Sequence, residues 1–435
     1  GAIKRVMIVG GGYDVCYESP LFALNSTSTN LKSGCSSKTK AAGNAVYMVD
    51  ATTGDLIWEA TDAAASIVGG LPSTARATYN TDLVHSVVMR ISTLDRNADG
   101  LIDHLYFGDL GGQIFRADFD NASQRTASNQ GRFGVRVVRL ADLRNTTTPA
   151  NSPRFYVAPT VTIHDEGANT FIMLGIGSGD RSSPLDVLPL ADGGKNPIVA
   201  GGAAVTKPVN NVYGIIDRDF INTQLISVPA VPPSTTTTVL ANTSLVSKDI
   251  RLSSLQINPQ LLSTSTKNIP DYFFGTGKKE GWYRSLSSQS TGVELTGRTA
   301  GGMKAFEEEA LAITGTLFMP VYDPQGVATP QASQCSAKVI GETIRERFCI
   351  PYGACLNSDG TVNSTLEQNT GLVINTLTDH PTLMGNGIRG IAFGKKDGGG
   401  LTILGNTSGT GGWSTNRKLV PTRWYEKQPN PNKVQ

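Results

Sequence analysis

Short apolar runs of three or four residues, each closed by a glycine-bearing turn, recur along the chain. They read RVMIVGGGYD (5–14), HLYFGDLGGQ (104–113), FIMLGIGSGD (171–180), DYFFGTGKKE (271–280) and, more weakly, LTILGNTSGT (401–410). A run this short, bounded by turn residues, predicts a buried β-strand rather than a helix. Several runs continue into a second strand. AVYMVDATTGDLIWEA (45–60) predicts a hairpin turning at Thr53-Gly54-Asp55, and HLYFGDLGGQIFRADF (104–119) one turning at Gly111-Gly112. NVYGIIDRDF (211–220) and LFMPVYD (317–323) predict further strands of the same kind. One stretch has a helical pattern, MKAFEEEALAI (303–313), with Glu307, Glu308 and Glu309 expected to face solvent.

Hairpins at irregular intervals with long inserts predict an all-β fold built from repeated sheets, a β-propeller. Four strands of about six residues plus turns take roughly 45 to 60 residues per blade, so a chain of this length makes about seven blades with insertions. A pair of sandwiched sheets is the alternative. The stretch SVPAVPPSTTTTVLANTS (227–244) predicts a surface insertion, because strand patterns resume after it, and residues 1–435 therefore predict a single domain.

Composition supports this and excludes several functions. The chain has 48 glycines among 435 residues, which suits turn-rich β structure. Its 38 Lys and Arg against 36 Asp and Glu leave a net charge of only +2, and no dense basic run marks a nucleic-acid-binding face. No segment has the roughly 18 consecutive apolar residues that span a bilayer. The opening GAIKRVMIVGGG lacks the apolar core of a signal peptide and begins with Gly, so the chain reads as part of a longer protein with any export signal upstream. Of the five cysteines, Cys16 and Cys35 flank a polar excursion that a disulfide would pin; Cys335, Cys349 and Cys355 leave one thiol over, with their pairing open. An oxidising compartment follows. Trp58, Trp282, Trp413 and Trp424 are expected in strand packing, and the four histidines have no metal or triad spacing, His104 reading as a plain strand residue. GIGSGDRSS (175–183) is read as a turn, since no helix follows to make a phosphate site.

The segment LDRNADGLIDHLY (94–106) is the strongest chemical signal. Asp95, Asn97, Asp99 and Asp103 occupy positions 1, 3, 5 and 9 of a calcium loop. Gly100 sits at the sharp turn and Leu101 offers its carbonyl. Alternate oxygen-bearing residues in a tight loop can all face inward, and Ca²⁺ takes six to eight oxygens. Position 12, where an EF-hand has its bidentate Glu, is Tyr106, and the residues after the loop are strand-like. The loop therefore feeds a β-strand, with Asp103 as the last carboxylate. Without a cation each carboxylate pair at about 4 Å costs roughly 1 kcal/mol in water, or about 4 at an effective dielectric of 20.

The loop and the hairpin it feeds, DRNADGLIDHLYFGDLGGQIFRADF, resemble the C-terminal domain of the PilY/PilC family of type IV pilus biogenesis and adhesion factors. AVYMVDATTGDLIW and FGTGKKEGWY resemble that family's quinoprotein-like blades. The resemblance implies a modified seven-bladed propeller with Ca²⁺ on Asp95, Asn97, Asp99, Leu101 and Asp103. It implies pilus components (minor pilins or a tip complex) as partners, surface attachment to host cells or matrix, an extracellular, pilus-associated location, and an adhesive domain upstream. It further implies that calcium occupancy regulates pilus extension and retraction, and so twitching motility; an adhesin domain with calcium as a structural staple is the alternative. A quinone-dependent dehydrogenase would share the propeller, but it would carry adjacent cysteines, which this chain lacks. The chain is therefore read as non-enzymatic.

Overall fold

The computed structural model describes residues 3–415, apart from 63–76, 122–132, 168, 185–189, 192–195, 198, 201–202, 205–209, 222–247, 263–267, 287–304, 306–307, 325–340, 368–382, 396–400 and 405–413. The first sheet orders β1 (Val6–Gly10), β2 (Val46–Asp50), β3 (Leu56–Thr61) and β4 (Ala77–Tyr79) in sequence. The second does the same with β5 (Ser92–Leu94), β6 (His104–Gly108), β7 (Gln113–Phe119) and β8 (Gly134–Asp142). The third begins with β9 (Thr160–Glu166) and β10 (Asn169–Gly177). Two short ribbons follow, β11 (Leu190–Ala191) with β12 (Asn196–Pro197) and β13 (Val199–Ala200) with β14 (Ala203–Ala204). The third sheet then takes in β15 (Asn211–Asp217), β16 (Gln256–Ile257) and β17 (Gly281–Ser285), in the order β16-β17-β15-β10-β9. A fourth sheet joins β18 (Leu311–Ile313), β19 (Thr316–Asp323), β20 (Glu342–Cys349) and β21 (Leu383–Asn386), and a three-stranded one joins β22 (Ala392–Lys395), β23 (Leu401–Leu404) and β24 (Ser414–Thr415).

The fold is thus all-β, as the apolar runs predict. Its four larger sheets are stacked in chain order by three cores. Val46, Met48 and Trp58 of the first sheet pack on Leu105, Phe107 and Phe115 of the second. Tyr106, Ile114 and Val138 of the second pack on Ile172, Leu174 and Ile215 of the third. Phe171, Met173 and Ile216 of the third pack on Leu317, Met319 and Val321 of the fourth. Successive residues of a strand point to opposite faces, so Tyr106 and Phe107 serve different cores. The second and third sheets are consequently buried on both faces, which explains runs without polar alternation. A two-sheet sandwich would bury each sheet on one face only. None of these sheets closes on itself, and the described residues do not complete a ring of seven.

The two hairpins read from sequence turn where expected: β2 pairs with β3 across Thr53-Gly54-Asp55, and β6 with β7 across Gly111-Gly112. Gly112 has φ +92°, a conformation that favours glycine. Trp58 and Trp282 are fully buried, and the indole Nε1 groups donate to Thr78 Oγ1 at 2.9 Å and to the Pro351 carbonyl at 2.7 Å. Trp413 and Trp424 lie outside the described residues.

Three expectations fail. The run at 5–14, read as a buried strand, forms the edge strand β1 with one face open: Met7 is 53% and Val9 38% exposed. Residues 271–274, read as a strand, form one helical turn, α1 (Asp271–Phe274), entered through Pro270 with its φ of −54° and ψ of −32° and burying Phe273 in the third core; the strand begins only at Gly281. The helix expected at 303–313 is also absent from its described residues, where Leu311–Ile313 is strand. Tertiary contacts override its helical propensity: Ala305 N donates to Ser178 O, Glu308 accepts from Ile391 N at 2.9 Å, and Glu309 pairs with Arg90. Glu308 and Glu309 are therefore held by partners, while Glu307 lies outside the described residues.

Cys16 is disulfide-bonded to Cys35, as expected, and Cys349 to Cys355, while Cys335 lies outside the described residues. Two disulfides suit an oxidising compartment. No helix among the described residues is long and apolar enough to cross a membrane.

Candidate functional site

The acidic loop joins β5 to β6, which pair antiparallel with Leu94 opposite His104, so residues 95–103 bulge from the end of one hairpin. Its side chains fold back on its own backbone. Asp95 accepts from the N–H of Asp99 at 3.2 Å and of Gly100 at 2.8 Å, one on each carboxylate oxygen. Asn97 Oδ1 accepts from Asp99 N at 3.0 Å, and Asp99 Oδ1 from Leu101 N at 2.8 Å. Asn97 Nδ2 donates to Asp99 Oδ2 at 3.1 Å. Ala98 and Gly100 take positive φ, which tightens the curl. These are Asx-turns, the local geometry that short acidic and amide side chains favour.

Asp103 differs from the rest. It is 2% exposed, and its oxygens accept from Arg96 N at 2.9 Å and from Asn121 Nδ2 at 2.9 Å. Asn121 also donates to Ile102 O, tying the loop's root to the end of β7. Among the described residues no three His, Cys, Asp or Glu side chains are gathered as a metal cluster. The donor chemistry of the loop nonetheless fits a hard cation: it offers carboxylate, amide and carbonyl oxygens with no nitrogen or sulfur ligand. Carboxylate oxygens that accept one N–H retain further acceptor sites.

One residue beyond Asp103, the chain enters a buried charge network. His104, Asp118 and Arg136 stand directly opposite one another across β6, β7 and β8, and Tyr106 stands opposite Arg116. His104 Nδ1 lies 2.8 Å from Asp118 Oδ1. Arg116 donates through Nε to Asp118 at 2.8 Å and through Nη1 to Asp217 at 2.6 Å. Tyr106 donates its hydroxyl to Asp217 at 3.1 Å, and Arg136 reaches Asp118 at 3.4 Å. Asp217 ends β15, so the network bridges the second and third sheets. Burial alone would push the Asp118 carboxyl up, but Arg116, His104 and Arg136 outweigh it and hold it below the usual carboxylate range. Burial, then the Asp217 charge, push the Tyr106 hydroxyl well above its usual value, so it stays a donor.

The spacing thus brings Asp95, Asn97, Asp99 and Leu101 into one curled loop, with Asp103 at its buried root. His104 is not a plain strand residue but a member of the network. Sequence reasoning missed that network, although it left a trace: His104-x-Tyr106 and Arg116-x-Asp118 place polar residues at period two inside otherwise apolar strands.

The fold and site together define a class: an all-β stack of hairpin sheets with an oxygen-rich Asx loop inserted in one hairpin. Among solved structures the chain is similar to the crystal structure of the PilY1 C-terminal domain from Pseudomonas aeruginosa, at 15% identity and a TM-score of 0.43. That match covers 84% of this chain and 65% of the other, so this chain spans just under two thirds of the structure it matches. No protein-family model matches the chain, and no curated protein matches it.

Proposed function

We propose that the chain is a calcium-binding domain of a type IV pilus biogenesis or tip protein, built as a modified seven-bladed propeller, in which calcium occupancy regulates pilus extension and retraction and so twitching motility. The observation that carries the metal part is the loop at 95–103. It sets oxygen donors at alternate positions, each side chain turned inward by a backbone N–H. The pilus part is supported by the resemblance of that loop and its hairpin to the PilY/PilC family. Asp95, Asn97 and Asp99, the Leu101 carbonyl and Asp103 would hold Ca²⁺, and the cation would supply the positive charge that offsets carboxylate repulsion. Within the chain, Asp103 and Asn121 connect the loop's root to β7, and His104 connects it to the buried network. Partners on this reading are minor pilins or a tip complex outside the outer membrane.

Calorimetric titration of the whole chain with Ca²⁺ tests the metal part. An affinity in the micromolar to millimolar range is expected, as three carboxylates without the position-12 Glu imply. Asp99→Ala should weaken it at least tenfold, about 1.4 kcal/mol; undiminished affinity in that variant overturns the assignment.

The loop's own hydrogen bonds favour a second reading, in which calcium is a staple on an adhesin domain. A loop already closed by Asx-turns needs little rearrangement to take a cation, and the excursion tied by the Cys16–Cys35 disulfide would offer a contact surface for host or matrix ligands. Cells carrying Asp99→Ala separate the two readings. Altered piliation with no matrix binding by the isolated domain supports the regulator, whereas normal piliation with matrix binding supports the adhesin.

A further inference from the structure

The disulfide-tied excursion also walls a cleft. A cavity of about 300 Å³ lies between residues 22–25, the residues around His85 and Leu110, and the segment 144–154. That volume is at the small end of the range for ligand pockets. Its apolar wall is made by Phe22, Leu24, Val84, Leu110 and Pro149. Among the described residues no Asp or Glu lines it.

Four of its polar residues offer uncommitted groups of one chemical character. His85 is 8% exposed, and its Nδ1 lies 2.6 Å from the Tyr17 hydroxyl. Tyr17 is 2% exposed and its hydroxyl has no other hydrogen-bond partner among the described residues, so its proton is satisfied only by donating to Nδ1. Burial, reinforced by Arg144, lowers the imidazole to about 3, so the ring is neutral. A neutral ring that accepts at Nδ1 carries its N–H at Nε2. Nε2 has no partner among the described residues and belongs to a residue lining the cleft.

Arg144 grips Asp142 through Nε at 2.7 Å and Nη2 at 2.8 Å, leaving Nη1 without a partner among the described residues. Asn145 uses its Oδ1 to cap Thr147 N and Thr148 N, leaving its amide N–H₂ to donate. Ser152 Oγ accepts from Asn145 N, leaving its own proton to donate. The uncommitted groups at His85, Arg144, Asn145 and Ser152 are therefore donors on residues that line the cleft, with no acidic side chain among those lining residues.

We infer that this cleft is a binding site for a small organic carboxylate bearing an apolar group, with the carboxylate received by His85 Nε2, Arg144 Nη1 and the Asn145 amide and the apolar part laid against Phe22, Leu24 and Pro149. Charge-assisted hydrogen bonds from several donors select an anion over its neutral amide. The site does not depend on the calcium loop, so its test is run in chelator, and its failure leaves the pilus reading untouched.

The test is saturation-transfer and nitrogen-15 NMR on the whole chain with N-acetyl-leucine, N-acetyl-phenylalanine and benzoate, each beside its amide. The acids should bind about tenfold or more tightly than their amides, and should move the His85 Nε2–H resonance. Thr146→Trp, at an exposed lining position that can plug the cleft without disturbing the core, should abolish binding. His85→Phe should weaken the acids more than the amides and so narrow the gap between them. The inference is overturned if no acid binds at millimolar concentration, if acid and amide bind alike, or if Thr146→Trp binds as the parent does. The Thr146→Trp arm decides even if the His85 variant does not fold.

Discussion

Replacing Arg116 by Met tests whether the network under the acidic loop carries charge as its geometry implies. Arg116 is fully buried and stands between Asp118 and Asp217, which are also buried. Methionine fills much of the stem, so the loss is mainly electrostatic. With Arg116 present, Asp118 and Asp217 face the guanidinium groups of Arg116 and Arg136, while Asp219, 3.6 Å from Arg116, is also paired with Lys248 at 2.9 Å. Without it one buried negative charge is uncompensated: Asp118 retains His104 and Arg136, whereas Asp217 retains only the Tyr106 hydroxyl from this network. Removing one partner of a buried ion pair costs about 3–5 kcal/mol, a large share of the roughly 5–15 kcal/mol that holds a folded domain.

Urea unfolding followed by the fluorescence of Trp58 and Trp282, which report the first and third sheets, should show the midpoint falling by about 1 M or more with the slope unchanged. The pH dependence has a sign as well. The folded carboxyl of Asp118 lies below its unfolded value, so it contributes stability that is present above the ordinary carboxylate range and lost as pH falls through the folded value. In the variant burial acts without Arg116, so acid unfolding should begin at a higher pH. A loss below about 1 kcal/mol together with an unmoved acid transition would refute the charged network.

Two further outcomes follow from buried groups in the third and fourth sheets. Glu346 on β20 is 1% exposed, neither carboxylate oxygen has a hydrogen-bond partner among the described residues, and burial raises its pKa to about 8 against the pull of Arg284 and Arg345. Its folded value lies above its unfolded one, so stability should decline from about pH 5 to 8, and Glu346→Gln should flatten that decline in thermal melts; an unchanged slope counts against it. A Cβ on Gly214 would lie 2.3 Å from Trp282 Cε2, so Gly214→Ala should cost about 1–3 kcal/mol and shift the Trp282 emission; a variant as stable as the parent would show that the indole can move aside.

What the sequence made legible is local. The hairpins at 45–60 and 104–119 announce themselves because both strands and their turn lie within sixteen residues, and the spacing of Asp95, Asn97, Asp99 and Asp103 is visible for the same reason. Partners distant in the chain are not legible. Arg116 meets Asp217 across 101 residues, and the Tyr17 hydroxyl meets His85 across 68. No local pattern encodes either pair. Residues 303–313 mislead in the opposite direction: their glutamates suit an exposed helix, yet Glu308 and Glu309 are claimed by Ile391 and Arg90, and the segment ends in the strand Leu311–Ile313.

The double-faced burial of the second and third sheets also governs how such a chain can vary in length. A single residue gained or lost inside β6 would exchange the neighbours of Tyr106 and Phe107, taking the phenol from Asp217 and forcing the phenyl ring into the place the phenol left. Every residue downstream in the strand would suffer the same reversal, on both faces at once. A lineage carrying this fold therefore lengthens most readily between strands, where parity has no meaning, or at a bulge such as those between β7 and β8. The connections between strands are where its descendants are free to diverge.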